Sequence, residues 1–327
     1  MFKKLLVPLD RSLLAEQAIG QAAAIARVAH ASIDVVLVHE PSPFAGFKDA
    51  PWNAEERTYE DKYLEGIANE IATGAAVPAT HCVMRGEPVE MIYTRACDID
   101  ADLIVMTSHG RTGLSRVWLG SVAHGVLRRS PVPVLMLRPI EGKANRKAAH
   151  RLFKHILVPL DGSSFSADII PHATALARCS NARITLLRAV RPVPAVVLDV
   201  DMSLGYPPMV PDAELTAGLV DKANTEIADI ARQIRDGGYD DVGTEVVVAD
   251  SAAHAIIDCA LAHSVDAIAM STHGRGASRL LMGSVADKVV RATALPMLLV
   301  RPVGASGEST VTEIKGATEL LVAFAGV

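Results

Sequence analysis

A short pattern of hydroxyl and glycine residues, placed behind an apolar run, is the part of this sequence best suited to chemistry. Residues 107–110 read Thr-Ser-His-Gly, and Gly120-Ser121 follows after nine intervening residues. Gly110 permits a tight turn and a close backbone approach. Gly120-Ser121 precedes a predicted helix, whose free N–H groups and positive dipole end favour an anion. The pattern predicts a phosphate chain held between a glycine turn and a helix start, although the Ser121 hydroxyl could instead cap the helix.

An aspartate follows the first apolar run in each half of the chain, at Asp10 and Asp161. A carboxylate at the end of a strand can accept hydrogen bonds from a ribose hydroxyl or a base amino group. Aspartate is equally suited to a helix N-cap or a turn. Both interpretations remain open for these two residues.

The chain contains the same domain twice, because five blocks recur in the same order. The offset between copies is 151 residues at the first block, 164 at the second and third, and 163 at the fourth. The second copy therefore has a longer middle and is one residue shorter near its glycine loop. The matched blocks are Leu6–Asp10 with Leu157–Asp161, Asp102–Met106 with Asp266–Met270, Ser108–Arg111 with Thr272–Arg275, Gly120–Ala123 with Gly283–Ala286, and Arg138-Pro139 with Arg301-Pro302.

The elements that must position these residues alternate between strands and helices. Such alternation predicts a parallel sheet with right-handed crossovers and helices on both faces. In open sheets of this kind, ligands bind beyond the carboxyl ends of the strands, where the strand order reverses. We predict strands at 5–9, 33–39, 80–84, 103–107 and 132–137, helices at 12–29, 54–72, 88–97 and 119–129, and the same series in the second copy.

The fold class predicted is therefore α/β, with two tandem doubly wound parallel-sheet domains of five strands each, Rossmann-like or flavodoxin-like. The expected boundaries are residues 1–139 for the first domain, 140–151 for a polar, basic linker, and 152–303 for the second domain. Residues 304–327 have no counterpart in the first copy and begin with a Gly/Ser-rich segment typical of a flexible tail.

Composition excludes several classes of protein. Of the 327 residues, 50% are hydrophobic and only 4% aromatic, which suits aliphatic cores on parallel sheets. A net charge of -5 gives no basic footprint for nucleic acid and no polybasic membrane signal. The four cysteines have no CxxC or zinc-type spacing, so we interpret them as small buried hydrophobes in a reducing compartment. Without a signal peptide or an apolar run of about 18 residues, we expect a cytoplasmic protein.

The residues do not form a recognisable catalytic set. There is no Ser-His-Asp order, Gly-x-Ser-x-Gly turn, His-Glu-x-x-His helix or P-loop. His109 and His273 could act as general bases, but we favour a structural or peripheral role for them. Four arginines in or beside the loops either contact phosphate or form solvated surface: Arg111, Arg116, Arg275 and Arg279. No metal site is expected, and Mg²⁺ would enter only with nucleotide phosphates.

Each copy resembles a universal stress protein domain. The resemblance rests on the opening Val-Pro-Leu-Asp, the Met-x-Ser/Thr-His-Gly-Arg turn and the Gly-Ser-Val-Ala helix start, and it covers residues 1–139 and 152–303. The ATP-binding branch of that family has the pattern Gly-x2-Gly-x9-Gly-Ser/Thr. Here Thr107 and Ser271 replace its first glycine, and only eight residues separate Gly274 from Gly283. A side chain at 107 or 271 either crowds a ligand or adds a hydroxyl contact.

The resemblance implies a nucleotide site in each copy, and the first is expected to match the family better than the second. In each site, the implied lining residues surround the adenosine, form the floor beneath it, or hold the phosphates. In the first copy these residues are Pro8, Asp10, Val38, Met106, Thr107, Gly110, Gly120, Ser121 and Val122. In the second they are Pro159, Asp161, Ala189, Met270, Ser271, Gly274, Gly283, Ser284 and Val285.

The resemblance also implies an assembly. Single domains of the family commonly dimerise through edge strands, so this tandem chain resembles such a dimer made covalent. The edge strands 132–137 and 295–300 would then meet across a pseudo-twofold axis. Two such chains are further expected to form a homodimer.

Three functions follow from these observations. The first is a stress-response or regulatory protein that binds ATP or a related adenine nucleotide (ADP, AMP or cyclic AMP) without committed catalysis. The second is a slow ATP hydrolase, for which His109 or Asp10 would have to serve. The third is a scaffold that has lost nucleotide binding and acts through protein partners or another small ligand.

Overall fold

The first copy consists of five strands alternating with four helices. The computed structural model of the protein describes residues 2–40, 52–109, 119–139, 152–196, 209–273 and 282–302. Within these ranges the elements of the first copy are β1 (Lys4–Leu9), α1 (Leu13–Ala29), β2 (Ser32–His39), α2 (Ala54–Gly74), β3 (Ala79–Arg85), α3 (Pro88–Asp98), β4 (Leu103–Thr107), α4 (Ser121–Arg129) and β5 (Val134–Leu137).

The second copy repeats this series with additions. Its elements are β6 (His155–Pro159), α5 (Ser164–Ala167), α6 (Ile170–Ser180), β7 (Arg183–Val190), β8 (Pro194–Val196), β9 (Met209–Pro211), α7 (Ala213–Asp236), β10 (Val242–Val248), α8 (Ala252–Ala262), β11 (Ala267–Ser271), α9 (Ser284–Ala292) and β12 (Met297–Val300).

The two copies form one ten-stranded sheet with the order β10-β7-β6-β11-β12-β5-β4-β1-β2-β3. Within each copy, neighbouring strands are parallel. In both copies the strand order reverses beside the first strand. The second and third strands lie on one side of it, and the fourth and fifth lie on the other. The prediction of two doubly wound α/β domains with five strands each is confirmed.

Helices cover both faces of this sheet and enclose one apolar core on each face. One core contains residues of α1, α2, α6 and α7, and the other contains residues of α3, α4, α8 and α9. Each core includes residues of both copies. The buried interior is therefore continuous across the duplication. None of the described helices is long and apolar enough to cross a membrane.

The copies join where β5 pairs antiparallel with β12. Leu135 lies opposite Leu298, and both side chains are 0% exposed. Two arginines reinforce this seam reciprocally: Arg138 donates to the carbonyl of Thr293 at 2.9 Å, and Arg301 donates to that of Arg128 at 2.6 Å. Both acceptors lie at helix C-terminal ends, where a cation is favourable. The expected pairing of the edge strands is confirmed.

The second copy differs from the first in two places, so the prediction that it repeats the same series was wrong there. The first helix is divided into α5 and α6, and Pro171 lies in the first turn of α6. Proline has no N–H to donate to the preceding turn, which accounts for the break. The longer middle of this copy also contains the antiparallel pair β8–β9, outside the main sheet.

The proposed linker, 140–151, and the C-terminal tail, 304–327, lie outside the described residues. Their boundaries therefore remain predictions.

Candidate functional site

Each copy has a cavity at the carboxyl ends of its first and fourth strands, where the strand order reverses. The cavity of the first copy has a volume of about 260 Å³, and that of the second about 290 Å³. Both lie near the lower end of the range of roughly 300–1,000 Å³ seen for ligand pockets. Volumes of this size suit a nucleoside-sized body better than a whole nucleoside triphosphate.

The structure brings together all the predicted lining residues that it describes. In the first cavity these are Pro8, Asp10, Val38, Met106, Thr107, Gly120, Ser121 and Val122. In the second they are Pro159, Asp161, Ala189, Met270, Ser271, Gly283, Ser284 and Val285. The two remaining predicted residues, Gly110 and Gly274, lie outside the described residues, as do all four loop arginines.

Asp10 and Asp161 have a local structural role as well as a place in the cavities. Oδ1 of Asp10 accepts the backbone N–H of Ser12 at 2.9 Å, and Oδ1 of Asp161 accepts that of Ser163 at the same distance. Ser12 and Ser163 are the N-caps of the helices that follow. The aspartates are thus turn residues that support a cap, and each lines a cavity at the same time.

The floor of each cavity combines a buried methionine with a buried hydroxyl. Met106 and Met270 lie near the ends of β4 and β11, and their side chains offer an apolar surface on which a flat ring could pack. The hydroxyl of Thr107 donates to the carbonyl of His109 at 2.8 Å, and that of Ser271 donates to the carbonyl of Phe165 at 2.6 Å. Since these protons are used within the protein, each hydroxyl can offer a ligand only its oxygen lone pairs.

A helix N-terminus faces each cavity, and it begins without a side-chain cap. The N-caps of α4 and α9 are Gly120 and Gly283, neither of which has a side-chain cap bond. Ser121 is therefore the first helical residue, and the alternative in which its hydroxyl caps the helix is wrong. The first-turn N–H groups have no partner within their own helix. They provide a positive local field at the rim of the cavity.

Close packing leaves little room for a side chain at these two positions. The N–H of Gly120 donates to the carbonyl of Ser108 at 2.9 Å, and that of Gly283 donates to the carbonyl of Thr272 at 2.7 Å. A Cβ would lie 3.1 Å from the Ser108 oxygen and 3.2 Å from the Thr272 oxygen. These two bonds close the base of each loop in the same way, despite the different loop lengths.

Histidines line both cavities but are engaged with their neighbours. His109 and His273 are buried, and Nδ1 of each lies 3.1 Å and 3.0 Å, respectively, from the hydroxyl of the residue before it. This arrangement agrees with the structural role expected from the sequence. It gives no specific support to either histidine as a general base.

The two cavities differ in charge and in one residue of the wall. Glu40 lines the first cavity beside Asp10, whereas the described lining of the second has Asp161 as its single carboxylate. Ser166 replaces Ala15 in the wall of the second, and its hydroxyl accepts the Asp161 N–H at 3.3 Å. The first cavity is thus the more acidic of the two, a difference that the motif comparison did not predict.

The sequence interpretation also missed the wall contributed by the third helix of each copy. Pro88 and Ile92 of α3 line the first cavity, and Ala252 and Ile256 of α8 line the second. Each pair is spaced four residues apart, which places both members on one helix face. That spacing was visible in the sequence, but only the strand order shows which face meets the cavity.

Comparison with known proteins places this architecture in a family. The model of the universal stress protein family matches residues 1–138 and 152–301. A universal stress protein of Methanocaldococcus jannaschii is 30% identical over 141 residues, 42% of this chain and 83% of that protein. A family member from Staphylococcus saprophyticus is 31% identical over 144 residues, 43% of this chain and 86% of that protein.

Solved structures match over both copies. A universal stress protein from Archaeoglobus fulgidus superposes with a TM-score of 0.66 at 20% identity, covering 91% of this chain and 98% of its own. A Pseudomonas aeruginosa structure gives 0.62 at 17% identity, covering 92% and 94%. These likenesses concern the fold.

The fold and its paired cavities define a duplicated, doubly wound α/β protein. The chain belongs to the universal stress protein family, as a tandem member.

Proposed function

We propose that this protein binds an adenine nucleotide, such as ATP, in the cavity of each copy and acts as a non-catalytic stress-response or regulatory protein. The observation that carries the proposal is the convergence, twice, of three features on one cavity: a strand-end aspartate, an apolar floor and an uncapped helix start. Each feature alone is common, but together they match the three parts of a nucleotide.

The apolar part of the lining suits a base. In the first cavity, Pro8, Val38 and Met106 offer aliphatic and thioether surface to a flat ring. Asp10 lies at the end of the same strand as Pro8, where a carboxylate can accept from a ribose hydroxyl or a base amino group. The choice of adenine comes from the family resemblance, since a cavity of this shape would accept another base.

The helix start at Gly120 suits the phosphates. First-turn amides and the helix dipole favour an anion there. Because the cavity itself holds little more than a nucleoside, the phosphates would extend past Ser121 toward the glycine loop. Mg²⁺ would enter with those phosphates.

Catalysis has less support than binding. Asp10 holds the Ser12 amide and His109 lies against Ser108, so both candidate bases have structural partners. A slow hydrolase would need one of them to change partners when a nucleotide binds.

The sharpest test is a substitution that places a negative charge where the phosphate would bind and leaves the fold intact. Ser121 and Ser284 are exposed first residues of helices, where glutamate is favourable for the helix by about 0.3–1 kcal/mol. In Ser121→Glu the carboxylate would compete with phosphate. We expect ATP affinity at the first cavity to fall tenfold or more, with melting temperature unchanged or slightly raised.

Calorimetric titration with ATP, ADP, AMP and cyclic AMP would measure this effect. Ser284→Glu is the matched variant for the second cavity, and Ser121→Ala is the control for loss of the hydroxyl alone. If the folded double variant Ser121→Glu/Ser284→Glu bound ATP as the wild type does, or if the wild type bound no nucleotide at millimolar concentration, the proposal would be wrong.

A further inference from the structure

Three side chains of metal-ligating types meet in the second copy, outside the lining of its cavity: Glu245, Cys259 and His263. Nε2 of His263 lies 2.9 Å from Oε2 of Glu245, and the Cys259 thiol donates to that same oxygen at 3.3 Å. One donor atom from each residue lies within 4.8 Å of the other two. We call these residues the Glu-Cys-His cluster.

Two adjacent elements hold the cluster. Glu245 lies on β10, the outermost strand of the sheet, on the same face as Val247, which packs against the core beneath α8. Cys259 lies on α8 and His263 is its C-terminal cap residue. A separation of four residues places these two side chains above one another on one helix face.

A neighbouring histidine fixes the position of His263. Nδ1 of His155 lies 3.1 Å from the carbonyl of His263, and its Nε2 lies 2.8 Å from the hydroxyl of Thr185. A carbonyl can only accept, so Nδ1 carries the proton and Nε2 accepts from the threonine. Both ring nitrogens of His155 are thus used. His155 is a positioning residue rather than a ligand.

The spacing of the donor atoms matches a metal coordination shell. With Zn–S near 2.3 Å and Zn–N or Zn–O near 2.0 Å, neighbouring donors in a tetrahedral site lie roughly 3.3–3.5 Å apart. The two separations that involve Glu245, 2.9 Å to Nε2 of His263 and 3.3 Å to Sγ of Cys259, are within about half an ångström of that. The third, between the Cys259 sulfur and a ring nitrogen of His263, is no more than 4.8 Å, so side-chain rotations would bring the three donors around one ion. A thiolate, an imidazole and a carboxylate are also the three ligand types that zinc uses in proteins.

We propose that the Glu-Cys-His cluster binds one Zn²⁺ ion, with the three side chains as ligands and a fourth position open to solvent. Cys259 is buried at 5% exposure, while His263 is exposed, so the ion can enter from the solvent side. On binding, the S–H bond of Cys259 breaks, its proton passes to solvent, and a Zn–S bond forms. The Glu245 oxygen that accepts the thiol hydrogen bond in the metal-free protein becomes a ligand to the metal.

The alternative role for Cys259, as a reactive nucleophile, is disfavoured. Burial, together with the Glu245 hydrogen bond and charge, raises the pKa of its thiol to about 12. In the metal-free protein the thiol is therefore protonated at neutral pH, whereas a nucleophilic cysteine requires a thiolate.

The corresponding position of the first copy has no such set of ligands. Arg95, the eighth residue of α3, corresponds to Cys259, the eighth residue of α8. Arg95 forms a two-pronged ion pair with buried Asp34, at 2.9 and 2.7 Å. A guanidinium at this position repels a cation, and the counterpart of Glu245 is Cys82.

Titration of the full, nucleotide-free chain with Co²⁺ as a spectroscopic probe would test the proposal, followed by competition with Zn²⁺. We expect one Co²⁺ per chain, with visible d–d absorption and a near-ultraviolet thiolate-to-cobalt band. In Cys259→Ser the thiolate band should disappear. In Cys97→Ser, which removes an exposed thiol elsewhere, it should persist.

His263→Asn provides a second, independent test. Because His263 is exposed, it can be changed with little risk to the fold. We expect it to weaken Co²⁺ and Zn²⁺ binding at least tenfold. Absence of saturable binding at 1 mM metal, or a thiolate band that survives in Cys259→Ser, would overturn the proposal. Since no nucleotide is present, neither outcome depends on the proposed function of the cavities.

Discussion

The two copies differ in the polar side chains that lie between the third helix and the outer strands of the sheet. In the first copy they form the ion pair of Arg95 with buried Asp34, to which the Thr80 hydroxyl also donates. In the second they form the Glu-Cys-His cluster. The cavities, by contrast, keep equivalent residues at equivalent positions. The comparison indicates that the duplicated fold fixes the strand ends and the seam closely, while its outer edges accept unrelated polar groups.

The largest expected effect comes from the seam, which both copies share. Leu135→Ala removes a fully buried side chain at the β5–β12 contact, so we expect a loss of about 2–5 kcal/mol in the free energy of unfolding. Leu298→Ala, its partner across the seam, should cost a similar amount, and Leu261→Ala, at 75% exposure, almost nothing. Urea unfolding measures all three. A strong asymmetry between Leu135 and Leu298 would show that the copies do not share the core equally.

The next largest effect is a difference in stability loss between substitutions at the outer edges of the two copies. Arg95→Met leaves the Asp34 carboxylate buried with the Thr80 hydroxyl as its remaining side-chain donor among the described residues, and loss of one member of a buried pair costs roughly 3 kcal/mol. Cys259→Ala in the metal-free second copy removes only a thiol and should cost less. Thermal and urea unfolding of both variants would check the order. Equal losses would contradict the difference drawn between the edges.

A pH effect is expected from α6 but not from its counterpart in the first copy. Burial lowers the pKa of His172 from 6.5 to about 4, whereas the equivalent residue of α1 is Gln21, which does not titrate. As pH falls below 6.5 the unfolded chain takes up a proton that the folded chain does not. Stability should therefore be complete above pH 6.5 and decline toward pH 4.

The loss from His172 is about 2 kcal/mol at pH 5, at 1.36 kcal/mol for each pKa unit. The measurement is the difference between wild type and His172→Gln in urea unfolding at pH 7 and pH 5, which cancels the titration of carboxylates. If the difference between the two proteins were the same at both pH values, His172 would not be the cause.

The smallest effect concerns the two cavities. Glu40 adds a second carboxylate to the first cavity, so Glu40→Gln should strengthen ATP binding there by about two- to fourfold at low salt and by less at high salt. Measured in a Ser284→Glu background, the titration reports the first cavity alone. Weaker binding in this variant would instead mean that Glu40 accepts a hydrogen bond from the ligand.

The sequence was sufficient to predict the repeat and the strand positions, because these depend on local patterns. The full list of lining residues came from the family resemblance, and it lacked the wall formed by α3 and α8. Apolar runs that end in aspartate or threonine mark the strand ends, and parallel topology brings those ends together. The pairing of β5 with β12 was predicted from the family resemblance alone. The sequence interpretation did not recognise that Pro171 would divide the first helix of the second copy, although proline in a helical run is a visible signal.

The Glu-Cys-His cluster was missed for a different reason. Cys259 and His263 have helical i, i+4 spacing in the sequence, but Glu245 precedes them on another element. Only the packing of α8 against β10 brings the carboxylate to the other two. The pair Asp34–Arg95 was likewise unpredictable, since 61 residues separate its members.

The antiparallel pairing of β5 with β12 sets the directions of the two halves. Within the common sheet, the five strands of one copy run opposite to the five of the other, so their carboxyl ends lie at opposite margins of that sheet. The two cavities therefore open away from each other, and no single small molecule can occupy both. Any influence of one occupied cavity on the other would pass through the paired strands β5 and β12 and through the two apolar cores that the copies share.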